Sequence, residues 1–137
     1  MSIKHNSRWP VSNHNNAAEY QLSSLPYVLN GFAPAHDEAN VDDRYVKISF
    51  DNVTRWIVIH NKNQGNHSIR IGFSRDGILS NNYFVVHAGE QTPRLELRCK
   101  EIFLSSGVQG NTTEYTVLAG MTNINSANFP ELQGEGV

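Results

Sequence analysis

Cysteine is almost missing from this chain: Cys99 is the only one among 137 residues. A lone thiol cannot close an internal disulfide, so nothing here marks an oxidising compartment. Long hydrophobic runs are missing too. Nowhere do about eighteen apolar residues follow one another, as a bilayer-crossing helix requires, and Met1-Ser2-Ile3-Lys4-His5-Asn6 lacks the apolar stretch of a signal peptide. The expectation is a soluble chain with no transmembrane segment. Positive charge is not in excess, because 11 Lys plus Arg stand against 13 Asp plus Glu, a formal net charge of −2. Binding nucleic acid by counterion release needs a basic patch, so no direct nucleic-acid contact is expected. Helical periodicity is absent throughout.

What the chain does have is a rhythm of two. From Arg44 onward apolar and polar residues alternate, with Val46, Ile48 and Phe50 on one face and Tyr45, Lys47 and Ser49 on the other. That is a strand with one wet side. Arg55 to Asn61 differs, since Trp56 and Val58 on one face and Ile57 and Ile59 on the other are all apolar. Such a strand is covered on both sides, by a second layer or by a neighbouring chain. Lys62 to Asn66, with Gly65 available for positive φ, predicts a hairpin into Ser68 to Ser74. Arg75-Asp76-Gly77 reads as a turn, Tyr83 to His87 as a strand, and Gly89 to Pro93 as a break.

Arg94 to Leu104 starts with Leu95, Leu97 and Cys99 inward and Arg94, Glu96 and Arg98 outward, then reverses phase at Ile102 and Leu104. A strict strand cannot reverse phase, so a bulge or corner near Lys100-Glu101 should carry the chain from one sheet to another. Cys99 reads as a buried small hydrophobe. Thr113 to Met121 is the last strand. Residues 1–43 show no sustained period and contain Pro10, Pro26 and Pro34, which predicts an extended N-terminal arm. Pro26 limits the Leu25 to Leu29 cluster to an edge strand at best. The expected organisation is an arm over 1–43, a domain over 44–124 and a C-terminal tail over 125–137 that is mobile unless a neighbour holds it. The class is all-β, a single jelly-roll β-sandwich with an extended arm.

Catalytic chemistry finds little support in the pattern. The histidines at 5, 14, 36, 60, 67 and 87 include no pair at a metal-ligand spacing, so neither metal nor cofactor is expected. No Gly-x-Ser-x-Gly elbow is present, and Cys99 sits in a strand rather than at a helix start that would stabilise a thiolate. Glu96 and Glu101 interleave with Arg94, Arg98 and Lys100, as a solvated or intersubunit charge ladder does. Enzymatic activity is therefore not expected. The sequons at Asn52, Asn66 and Asn111 fit an Asn- and Thr-rich β protein by composition. Aromatic residues leave a second reading open: a carbohydrate- or receptor-binding β-sandwich of the lectin, spike or decoration kind. Trp9, Tyr20, Tyr27 and Phe32, all in the arm, read more readily as anchors on neighbours.

Five stretches together, Phe50 to Asn63, Ile69 to Ser74, Asn82 to Glu90, Leu95 to Leu104 and Tyr115 to Asn123, resemble the penton proteins of large icosahedral double-stranded DNA viruses with double-jelly-roll major capsid proteins. The resemblance spans about residues 45 to 130 and is distributed rather than diagnostic. It implies a structural virion protein: a homopentamer closing the fivefold capsid vertices, in contact with major capsid protein and with minor capsid or spike proteins, assembled in host cytoplasm. A ring of identical copies closes through two different, complementary surfaces on each copy. The candidate subunit interface is Arg55, Ile57 and Ile59 with Arg94, Glu96 and Arg98. The candidate axis or surface loops carry Asp76, Gly77, Gly110 and Asn111.

Overall fold

The structure, a computed structural model, describes residues 25–133 and 136–137. Among the described residues, seven strands make two antiparallel sheets: β1 (Leu25–Ala33), β2 (Val46–Ser49), β3 (Asn52–Asn61), β4 (Ile69–Gly72), β5 (Tyr83–Val86), β6 (Glu101–Ser106) and β7 (Thr113–Asn125). One sheet has the order β1-β7-β3, the other β2-β6-β4-β5. The all-β class expected from the alternation is what the chain adopts. A five-residue helix, α1 (Arg75–Leu79), replaces the turn expected at Arg75-Asp76-Gly77. Ser74 creates it by accepting the Gly77 N–H at 2.9 Å, which satisfies a donor that the first helical turn leaves open.

The core lies between the sheets. Ile48, Phe50, Ile57, Ile59, Ile69, Ile71, Ile102, Leu104, Tyr115 and Val117 are its inward residues. Their positions along each strand follow the period of two read from the sequence. Each fully buried aliphatic side chain contributes roughly 1.5–3 kcal/mol relative to exposure.

Two sequence expectations fail at the level of pairing. The hairpin expected across Lys62 to Asn66 does not form, because β3 pairs with β7 while β4 pairs with β5 and β6 in the other sheet. The connection instead crosses between sheets, with Gly65 supplying its positive φ of 77°. Asn61 holds the crossing in place: fully buried, it donates through Nδ2 to the carbonyls of His67 (2.7 Å) and Val86 (3.1 Å) and accepts from the Asn63 N–H (3.0 Å). An isolated hairpin could not satisfy that side chain at the same places.

The second failure is the arm. Residues 25–33 are a full strand, β1, in register with β7 from Leu25↔Met121 to Ala33↔Thr113. The folded unit therefore includes residues before 44, and residues 1–24 lie outside the described residues. Pro26 does sit on an edge strand, as its missing N–H requires. In the tail, Lys100 Nζ reaches Glu131 at 2.7 Å and Asn82 Nδ2 donates to the Val137 carbonyl at 3.3 Å.

The phase reversal near Lys100 is a change of sheet. Residues 89–99 run along the open edge of β3, with Asn61 N–H to the Glu90 carbonyl, Thr92 N–H to the Ile59 carbonyl and reciprocal Ile57–Leu95 bonds, each 2.9 Å. Thr54 closes the far end, its hydroxyl donating to the Leu97 carbonyl (2.8 Å) and accepting the Cys99 N–H (2.9 Å). The chain then enters β6 in the other sheet. Leu97 is exposed rather than inward, because its N–H turns back to the Leu95 carbonyl and shifts the alternation.

Candidate interaction surface

The two sheets differ on their outer faces. Over the four-stranded sheet, Phe103 is only 4 % exposed, covered by the Tyr45 ring with centroids 5.5 Å apart. Helix α1 also lies on this face: a Cβ at Gly72 would stand 3.2 Å from the Ile78 backbone nitrogen. Glycine at 72 is what permits that approach.

The outer face of the three-stranded sheet has no such cover among the described residues. Val28, Leu118 and Val58 stand in one cross-strand row through the pairings Val28↔Leu118 and Val58↔Leu118. Val28 is 59 % exposed and Phe32 64 %. Trp56 lies half-buried on the same face, one pairing step from Val58, opposite Gly120. The charges at its margins pair with one another, Lys62 with Glu114 at 3.4 Å and Arg94 with Glu96 at 3.0 Å. An exposed apolar surface with neutralised margins suits contact with another apolar surface.

The expected interface residues divide accordingly. Ile57 and Ile59 are in the core, 0 % and 1 % exposed, and unavailable to a partner. The sequence correctly made this strand apolar on both faces, but the outward set is Trp56 and Val58. Arg55 is half-buried beside a register irregularity in β3, while Arg94, Glu96 and Arg98 are exposed along the 89–99 edge. Of the arm anchors, Phe32 is outward on β1, whereas Tyr27 turns inward and packs edge-to-face on Phe50 at 5.2 Å. Trp9 and Tyr20 lie outside the described residues.

The four loop residues do not form one cluster. The pairings Ile69↔Ser106 and Gly72↔Phe103 put α1 and the 107–112 loop at opposite ends of the four-stranded sheet. Asp76 and Gly77 are therefore remote from Gly110 and Asn111, and Gly77 is buried. A single axis cannot gather both pairs at one end of the molecule.

Titratable groups serve the fold where their contacts are resolved. His36 Nδ1 meets the Ser106 carbonyl at 3.0 Å and His67 Nδ1 the Thr112 carbonyl at 3.4 Å. His60 projects onto the outer face opposite Gln91, and its Nδ1 is buried without a hydrogen-bond partner. Burial pushes the Cys99 thiol up to about 11, against a weaker opposing effect from the Thr54 hydrogen bond, so it is not a thiolate at neutral pH. Among the described residues, no three of His, Cys, Asp and Glu converge as a metal site. An open depression of about 430 Å³ lies where β1 begins, lined by Leu25, Pro26, Tyr27, Ser49, Asp51, Asn52 and Met121. Among the described residues Asp51 is the one charged side chain in that lining, and they bring no acid–base pair to it.

No described helix is long and apolar enough to cross a membrane. No protein-family model, curated protein or solved structure matches this chain.

Proposed function

We propose that this chain is a structural virion protein, a single jelly roll that assembles as a homopentameric penton at the fivefold vertices of an icosahedral capsid. Two aspects of the fold support the jelly-roll reading. Counting the 89–99 segment as an eighth, irregular strand, the sheet orders become β1-β7-β3-(89–99) and β2-β6-β4-β5. With β4 and β5 in one sheet and every other pair of successive strands in opposite sheets, this order fits the paired Greek keys of that architecture and supports the reading.

The observation that carries the assembly reading is β1. It is nine residues long, Leu-Pro-Tyr-Val-Leu-Asn-Gly-Phe-Ala, without one charged side chain, and it lies at an open sheet edge with Val28 and Phe32 in solvent. Open edges of solitary sandwiches are protected by charge, bulges or cover. Among the described residues, only Pro26 protects this one. A ring of copies, with major capsid protein beyond it, would supply the cover.

The function is mechanical in this reading: complementary surfaces close a ring and no bond is broken. Negative-stain class averages of the purified chain are expected to show fivefold rotational symmetry. Particles without rotational symmetry that bind glycan arrays through Trp56 would favour the sugar-binding alternative, since that half-buried indole shares its face with Asn30 and Thr116.

A further inference from the structure

Among the described residues the sandwich has four open edges, and charge protects only two. β2 carries Lys47, and the 89–99 segment carries Arg94, Glu96 and Arg98. β1 and β5 carry no charge, and no Asp, Glu, Lys or Arg occurs from Gly77 to Gly89. Even enclosed β7 carries a charge, Glu114, which Lys62 pairs at 3.4 Å. Edge strands that lack it invite pairing with another chain.

The two unprotected edges lie on opposite flanks. The Tyr27–Phe50 ring contact joins the β1 edge to the end of β2 on one flank. The Asn61–Val86 hydrogen bond joins β5 to the β3 and 89–99 side on the other. Each edge also has a charge at its border. Asp51 lines the depression at the start of β1 and is exposed, with no ion pair among the described residues. On β4, Arg70 pairs with Val85 of β5 in register, and its guanidinium lies 4.7 Å from the Tyr83 ring centroid. Arg70 likewise makes no ion pair among the described residues. Val85 beside it is 42 % exposed.

We infer that the β1 edge of one copy seats against the β5 edge of the next, with Asp51 facing the neighbour's Arg70. The occupant of the bare β1 edge is thus a second copy of this chain, presenting a different surface from the one it covers. An apolar strand with an acid at its border meets an apolar strand with a base at its border, and the match repeats head to tail around a closed ring. The inference rests on the ring reading above and adds which surfaces close the ring.

Native mass spectrometry of the full chain and its variants tests it, with thermal melts to show that each variant folds. Val28 and Val85 are exposed, so lysine at either leaves the core intact. Wild type is expected as a five-subunit species, Val28→Lys and Val85→Lys as monomers with unchanged melting, and Asp51→Arg as a largely dissociated ring restored by the double variant Asp51→Arg/Arg70→Asp. A wild-type pentamer that survives both lysine variants, or one broken by Val28→Lys alone, would overturn the edge assignment and leave the ring reading standing. Wild type that is monomeric at micromolar concentration would overturn the ring reading and the assignment with it.

Discussion

Asn61 shows how much of the fold can rest on one residue. Its amide bonds to His67, Val86 and Asn63 join β3, the crossing connection and β5 within one buried side chain. Asn61→Ala strands two carbonyls and an N–H, each unsatisfied group costing about 1–3 kcal/mol, so a loss of at least about 3 kcal/mol is expected in urea unfolding. A loss below about 1 kcal/mol would mean that water replaces the amide. Cys99 gives a pH signature. A thiol raised by burial from its ordinary value of 9.0 to about 11 keeps its proton in the folded state after the unfolded chain has lost it. Its contribution is fully present below pH 9.0 and declines as pH rises toward 11. Burial also raises Tyr27, with Asp51 adding to it, and raises Tyr115, both in the same direction. Stability should fall by about 2 kcal/mol from the thiol across that window, and Cys99→Ala should flatten the decline while keeping the tyrosine part. Equal alkaline slopes for wild type and variant would contradict the burial argument.

At the scale of elements, β3 is an edge strand by its ladder partners and a central one by its hydrogen bonds. β7 flanks one side, and the irregular 89–99 segment bonds to Thr54, Ile57, Ile59 and Asn61 on the other. Amide exchange at Thr54, Ile57 and Asn61 should accordingly be as slow as in β7, whereas fast exchange would make 89–99 a loosely attached loop. The capping hydroxyl of α1 offers a smaller test: Ser74→Ala should cost about 1 kcal/mol and loosen the seating of Ile78 on Gly72.

These elements show where sequence reading succeeds and where it stops. The phase reversal between Cys99 and Ile102 revealed a change of sheet, because side-chain parity is a local property that a strand cannot break without a bend. The false hairpin between β3 and β4 arose because a turn signal specifies a bend but not its partner, and Asn61 makes the crossing only once β5 is in place. β1 was hidden because both of its faces are apolar, which erases the period of two. The useful signal there was the missing charge. Ile57 and Ile59 lie in the core rather than at an interface, and the sequence hid this for the same reason: a doubly apolar strand does not say which face is inner.

At the scale of the whole molecule, one sheet is covered outside by α1 and Tyr45, and the other is bare among the described residues across Val28, Leu118 and Val58. The proposed penton role accounts for that asymmetry and for two unprotected edges on opposite flanks. Leu118→Lys on the bare face should reduce binding to a partner surface without lowering the melting temperature, since the side chain already meets solvent. A melting temperature lowered by several degrees would show that this face is covered within a single copy. The most direct measurement is the native mass of the untagged wild-type chain at micromolar concentration. The account predicts a dominant species at five times the 15.4 kDa chain mass, and a spectrum of monomer alone would contradict it.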